Sequence, residues 1–264
     1  MDQLYYLLCG AFAGSMAGLF GVGGGLVVVP VLLFVFDRLG MPHDHLTQMA
    51  VGTSLAVMFF TCLSSVYSHH QRGAVLWPVV GRLSIGIAFG AVFGAWIDDH
   101  ISGELVQILL GIFVVIAEAR LLLKLTPKPE HQLPGVLPLM LAGFVIGTVS
   151  GIFGIGAGII TVPFLIWHQV RMQSAVACAA ACAIPAAIFG AGGFIWTGMK
   201  YSDQLPEWSF GFVYLPALMY IVIASVIFAR IGARFAHRFP AERLKRFFAV
   251  YLAIVAVRLL SDSV

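Results

Sequence analysis

Residues Gly10 to Phe34, GAFAGSMAGLFGVGGGLVVVPVLLF, recur without a gap at a constant offset of 133 as Gly143 to Trp167, GFVIGTVSGIFGIGAGIITVPFLIW. Ten of the 25 positions are identical: Gly10, Gly14, Gly18, Phe20, Gly21, Gly23, Gly25, Val29, Pro30 and Leu32. A doubled apolar segment of this size points to a membrane protein built from two related halves. Each copy opens with small residues at every fourth position (Gly10, Gly14, Gly18; Gly143, Gly147, Gly151), a spacing that lets helix backbones approach closely. A glycine cluster follows, Gly21 to Gly25 or Gly154 to Gly158, and glycine-rich sequence disfavours a continuous helix. A short apolar run then leads to Phe36 or Trp167.

From Leu26 to Phe36 a helix would be only ~16 Å long, about half of the ~30 Å hydrocarbon core. The spacing therefore predicts a half-helix whose amino end starts near the membrane midplane. Its unpaired N–H groups and dipole would favour an anion there. Close packing alone is the competing reading of these glycines, although packing does not need three in a row. A soluble dinucleotide or phosphate loop fits poorly. The flanks are long apolar segments, and no Lys-Ser/Thr pair follows the glycines.

Composition agrees with a bilayer. The chain is 60% hydrophobic and 10% charged with a mean hydropathy of +0.98, and it contains long stretches almost free of charge. Such stretches read as membrane-spanning helices. Cys9, Cys62, Cys178 and Cys182 lie in apolar segments without metal-ligand spacing or a disulfide pattern. Met1-Asp2-Gln3 lacks the basic region of a signal peptide, so the first segment is expected to remain in the mature protein.

The apolar segments fall at about 4–20, 26–36, 46–67, 74–97 and 105–124, then 136–153, 158–167, 175–197, 210–229 and 247–260. The expected organisation is a first transmembrane repeat over 1–124, a polar linker over 125–134 and a second repeat over 135–264. The fold class is an all-α polytopic membrane protein with two inverted repeats of about five helical segments each, broken at the glycine motifs. An odd number of segments per half predicts the inversion. Charge supplies the sidedness. The loop Asp98 to Glu104 has no Lys or Arg, whereas its repeat partner carries Arg230, Arg234, Arg238, Arg243, Lys245 and Arg246. The positive-inside rule makes the basic loop cytoplasmic and the acidic loop external.

Backbone N–H groups of Gly23, Gly24, Gly25, Gly156, Ala157 and Gly158 are the candidate anion donors. Thr53 and Ser54, adjacent and mid-segment, could add hydroxyls, or could instead bond carbonyls of their own helix. Arg82 is the intramembrane cation, able either to neutralise a substrate or to snorkel to the interface. Arg120 and Arg258 lie near segment ends and read as interfacial anchors. Glu118 is the acidic residue deepest in a predicted span, suited to coupling with a proton or to a solvated helix end. Pro185, followed by Gly190, Gly192 and Gly193, predicts a kink that would serve gating or packing. His69-His70 is a weak metal signal, and no metal site or resident cofactor is expected.

The doubled G-x-F-G-x-G-x-G motif ending in Val-Pro, the step Gly52-Thr53-Ser54-Leu55, and the stretch Gly232-Ala233-Arg234-Phe235-Ala236-His237-Arg238-Phe239-Pro240-Ala241-Glu242 resemble the sulfite exporter TauE/SafE family. The resemblance covers essentially the whole chain. It implies a transporter, not an enzyme, in the bacterial inner membrane, exporting sulfite, sulfoacetate or a related organosulfonate. One departure stands out: Ala177-Cys178-Ala179 occupies the second-half position of Gly52-Thr53-Ser54. The expected mechanism is alternating access around an anion held at half-helix amino ends. An anion-selective channel is the alternative, and a divalent-metal exporter a weaker one. Expected partners are a small anion and the lipid bilayer, not nucleic acid. A homodimer is compatible with the sequence, and the coupling ion, proton or sodium, is left open.

Overall fold

The computed structural model describes residues 2–20, 25–122, 132–236 and 241–261. Ten α-helices occur in these residues: α1 Asp2–Phe20, α2 Gly25–Arg38, α3 Leu46–Gln71, α4 Trp77–Asp98, α5 Gly103–Leu122, α6 Val136–Phe153, α7 Gly158–Trp167, α8 Met172–Gly198, α9 Leu215–Ala236 and α10 Ala241–Ser261. This is the all-α polytopic fold expected. Four helical stretches among the described residues are long and apolar enough to cross a bilayer, namely His43–Gln71, Trp77–Asp98, Val136–Phe153 and Met172–Tyr201. Residues 125–131 of the linker, with Gly23 and Gly24, lie outside the described residues.

The half-helices are short, as the sequence predicts. α2 has 14 residues and α7 has 10, giving ~21 Å and ~15 Å against a core of ~30 Å. Each carries an internal proline, Pro30 or Pro163, at the same place in the repeat. Proline removes a backbone donor that would otherwise serve the carbonyl four residues earlier.

One boundary differs. The segment expected to be helical from 210 begins instead as a two-residue β-hairpin, β1 Ser209–Phe210 with β2 Val213–Tyr214, and α9 starts at Leu215. Gly211 turns this hairpin at φ +53°, and its Cα side is pressed against the Ile195 backbone of α8. A helix through 210–214 would need an ordinary right-handed residue at this left-handed position.

Packing is reciprocal between the halves. α1 lies along α9, and α6, its counterpart in the second repeat, lies along α4. The glycine stripes make these contacts. A Cβ at Gly10 would sit 2.7 Å from Ile221 O, and one at Gly14 would sit 2.5 Å from Ser225 O. In the other pair Gly143, Gly147 and Gly151 face the Leu83, Ile87 and Ala91 carbonyls, while Gly86, Gly90 and Gly94 face Met140, Phe144 and Thr148. Position numbers ascend together on both partners, so each pair runs parallel. α3 and α8 run antiparallel, since Gly52 meets Phe194 while Gly190 meets Leu55.

α8 is the central element, with α3, α4 and α7 packed around it. Its buried face is almost entirely small, running from Ala175 through Cys178, Ala179, Cys182 and Ala186 to Gly193. Apolar lipid gives no hydrophobic drive between helices, so close backbone contact and dispersion carry the association. Pro185 lies inside α8, which stays helical on both sides of it. Gly190 and Gly193 are packing residues, because a Cβ there would stand 2.9 Å from Leu55 Cδ1 and 2.8 Å from Ala95 Cβ.

These contacts make a graded prediction. Gly90→Val drives a branched side chain into the Phe144 backbone and should cost at least about 1–3 kcal/mol. Gly81→Ala meets nothing within 4 Å and should stay within about 0.5 kcal/mol of wild type. Melting midpoints of the two detergent-purified variants compare them directly.

Candidate functional site

The site is built where the two glycine motifs meet. Gly154 ends α6 in the left-handed region at φ 64°, and its N–H bonds Ser150 O at 2.9 Å. This left-handed cap stops a helix and releases the chain in a new direction. Gly156 repeats the left-handed conformation at φ 71°. After only three intervening residues Ala157 opens α7, with no side chain bonded to the free amides of its first turn. The first intrahelical bond comes from Thr161 N–H to Ala157 O at 2.9 Å. The amides of Gly158, Ile159 and Ile160 therefore precede the helical ladder, as the first turn of any helix requires.

Gly25, the first residue of α2, packs directly on this break. A Cβ there would approach Gly154 O to 2.7 Å and the Ile155 backbone to 2.8 Å. The amino ends of the two half-helices are thus neighbours, one from each repeat. Gly158 behaves differently: no described residue lies within 4 Å of a Cβ added there, and the residue is half-exposed. Among the described residues nothing covers the α7 amino end, where its dipole and amides can meet a ligand.

Thr53 and Ser54 are both fully buried on α3. Ser54 Oγ donates to Gly154 O at 3.1 Å, tying the first repeat to the break in the second. Its proton is therefore committed to the scaffold. Thr53 Oγ1 accepts the Tyr214 N–H at 3.0 Å, immediately before α9. The departure at Ala177-Cys178-Ala179 now has a physical reason. Cys178 Sγ accepts the Leu76 N–H at 3.2 Å, immediately before α4. α4 and α9 occupy equivalent places in the repeats, and each receives its initial acceptor from the opposite half. A hydroxyl and a thiol can both accept a backbone N–H, so Thr53 and Cys178 are equivalent in this role.

The remaining residues are more dispersed. Arg82 is exposed, five residues into α4, and no described side chain pairs with it. That depth of ~7–8 Å suits a guanidinium reaching the interface. Glu118 is half-buried on α5. It lies ~7–8 Å along the helix from Phe113, whose ring meets Phe153 beside the break at 5.6 Å. Arg258 is exposed and stacks on Phe34 of α2 at 4.3 Å, with Arg38 over the same ring at 5.3 Å. The Arg120 side chain lies outside the described residues. His70 accepts the Trp77 indole N–H at 3.2 Å, and no cluster of three metal-ligating side chains occurs among the described residues.

Two features escaped the sequence reading. Ser150 Oγ is buried and has no described partner beside the break, and Asp98 is buried at the end of α4. Ser150 lies in the repeated motif opposite Ala17, an asymmetry that could have drawn notice. A cavity of about 370 Å³, lined by Tyr6, Leu39 to Pro42, Asp203 to Pro206 and Tyr214, reaches the residue whose amide Thr53 holds.

Ser54→Ala should leave the Gly154 carbonyl without its donor and cost about 1–3 kcal/mol. Gly156→Ala should cost about 1–2 kcal/mol for the left-handed backbone, and more because its Cβ would stand 2.5 Å from Met58 Sδ. Thermal melts of both variants against wild type test the brace. Unchanged midpoints would show that the break does not depend on it.

Comparison with known proteins agrees with this architecture. The chain is 32% identical over 258 residues to a probable membrane transporter protein of Haemophilus influenzae, covering 97% of each chain. It is 26% identical over 262 residues to one of Methanocaldococcus jannaschii, covering 96% of this chain and 94% of that one. A third, from Bacillus subtilis, is 27% identical over 254 residues and covers 94% and 96% respectively. No solved structure matches. The family described as sulfite exporter TauE/SafE matches residues 6–259. The chain, a multi-pass membrane protein, belongs to the sulfite exporter TauE/SafE family of membrane transporters.

Proposed function

We propose that this protein exports a small sulfur-containing oxyanion, sulfite or an organosulfonate such as sulfoacetate, across the bacterial inner membrane by alternating access. The observation that carries the reading is the junction of Gly25 with Gly154 and Ile155, which sets two half-helix amino ends side by side. An anion leaving water needs donors and positive potential at once, and helix amino ends provide both. Glycine keeps the backbone accessible, so Gly25, Gly156, Ala157 and Gly158 are the proposed donors among the described residues, with Gly23 and Gly24 completing the first motif.

An inverted repeat is supported by the antiparallel course of α3 and α8 and by the reciprocal pairs α1 with α9 and α6 with α4. A two-fold axis in the membrane plane would reverse each element relative to its counterpart. Rocking one half against the other would then expose the central site to either side. Thr53 and Ser54 act as braces that keep the two halves in register around the site. Arg82 raises local positive potential at the cytoplasmic interface instead of binding the anion. The sulfur anion itself is taken from the family to which the chain belongs.

Gly158→Asp separates helix stability from anion binding. A carboxylate at a helix amino end stabilises the helix by about 0.3–1 kcal/mol, and no described residue obstructs the side chain here. The same charge occupies the proposed anion site. Reconstituted Gly158→Asp should fold normally and lose at least tenfold of sulfite flux, while Gly158→Ala retains flux within about twofold. Equal flux in Gly158→Asp and wild type would remove the α7 amino end from the pathway.

A further inference from the structure

Asp98 ends α4 with a relative exposure of 0%, and neither carboxylate oxygen has a hydrogen-bond partner among the described residues. Gln48, the third residue of α3, is 5% exposed. Its Nε2 donates to the Asp98 backbone carbonyl at 3.4 Å. Gln48 Oε1 is then a third buried oxygen without a partner. Both residues belong to one buried polar cluster joining α3, α4 and the start of α5.

The neighbouring polar side chains bond one another or the backbone, not the Asp98 carboxylate. Thr47 Oγ1 points to Gly103 O at 3.4 Å and receives Gln107 Nε2 at 2.8 Å. The next residue, Asp99, also has a nearly buried side chain, but Lys200 Nζ bonds its Oδ2. His100 Nδ1 lies 3.9 Å from the same Asp99 oxygen and 2.7 Å from Trp96 O. Glu104 is exposed on the first turn of α5. Of two adjacent acids, one has its cation and the other has none. A buried carboxylate with no partner, beside a buried carboxamide whose oxygen also has none, is the ligand chemistry of a cation, because an isolated buried carboxylate is strongly disfavoured. The helix carboxyl end adds negative potential at the same place.

We infer that Asp98 and Gln48 form a binding site for one positive charge, a proton or Na+, between α3 and the carboxyl end of α4. Either ion would neutralise Asp98. Na+ would also use the Gln48 carboxamide oxygen, as oxygen-ligated cations do in transporters whose helix carboxyl ends face the site. A role in driving anion export rests on the transport reading above; cation binding itself does not.

The test is the melting midpoint of the detergent-purified full chain without any sulfur anion. Na+ is titrated against choline at constant chloride, and pH is then lowered stepwise without Na+. A ligand that binds only the folded state raises the midpoint with concentration. Wild type should respond to Na+, to acid, or to both, which identifies the ion. Asp98→Asn should lose the response, and Asp99→Asn should keep it. Should Asp98→Asn not fold, Gln48→Leu must weaken the apparent Na+ affinity at least tenfold if Na+ is the ion. If acid is the active arm, an infrared carbonyl band of a protonated carboxyl that shifts on isotopic labelling of Asp must survive Asp99→Asn. No response in wild type, or an undiminished one in Asp98→Asn, would overturn the site.

Discussion

A peptide group in hydrocarbon has no water to bond, so a broken helix is tolerated only where protein covers the break. The structure meets that constraint by setting the break of one repeat against that of the other. Gly25 lies on Gly154 and Ile155 at a distance no side chain would allow. Ser54 supplies a donor to the exposed carbonyl, and two left-handed glycines turn the chain within four residues. Among the described residues, the amino end of α7 is left without a covering neighbour or a side-chain cap. Free first-turn amides are therefore present at the place suited to an anion.

The rest of the architecture keeps that junction in place by exchange between the halves. The repeat counterparts α4 and α9 each have the amide before their first residue held by the other half, Cys178 serving α4 and Thr53 serving α9. Each glycine-striped helix likewise packs along a partner from the opposite half. Neither half could keep these contacts alone. Rearrangement would consequently move groups of helices rather than single side chains, with small residues on α8 allowing backbones to slide in close contact.

The helical segments and the two half-helices were legible because apolar run length and glycine clusters report directly on backbone conformation in lipid. The start of α9 was not, because Phe212, Val213 and Tyr214 are as apolar as a helix and the deciding contact of Gly211 on Ile195 is tertiary. Thr53 and Ser54 were recognised as buried hydroxyls, but their partners lie 161 and 100 residues away, beyond any local pattern. Asp98 reads as a loop acid next to Asp99 and His100. Only the fold distinguishes the paired Asp99 from the buried, unpaired Asp98. Arg82 reads as an intramembrane charge, and the fold places it exposed near the start of α4.

The central claim is that an anion sits at the joined amino ends of α2 and α7. Anomalous diffraction from crystals soaked in selenite, a heavier analogue of sulfite, would locate the anion without prior assumptions. The account predicts a peak within hydrogen-bonding reach of the Gly158 amide, beside the contact of Gly25 with Gly154. A peak only at surface arginines such as Arg82 or Arg258, with none at the glycine junction, would contradict it.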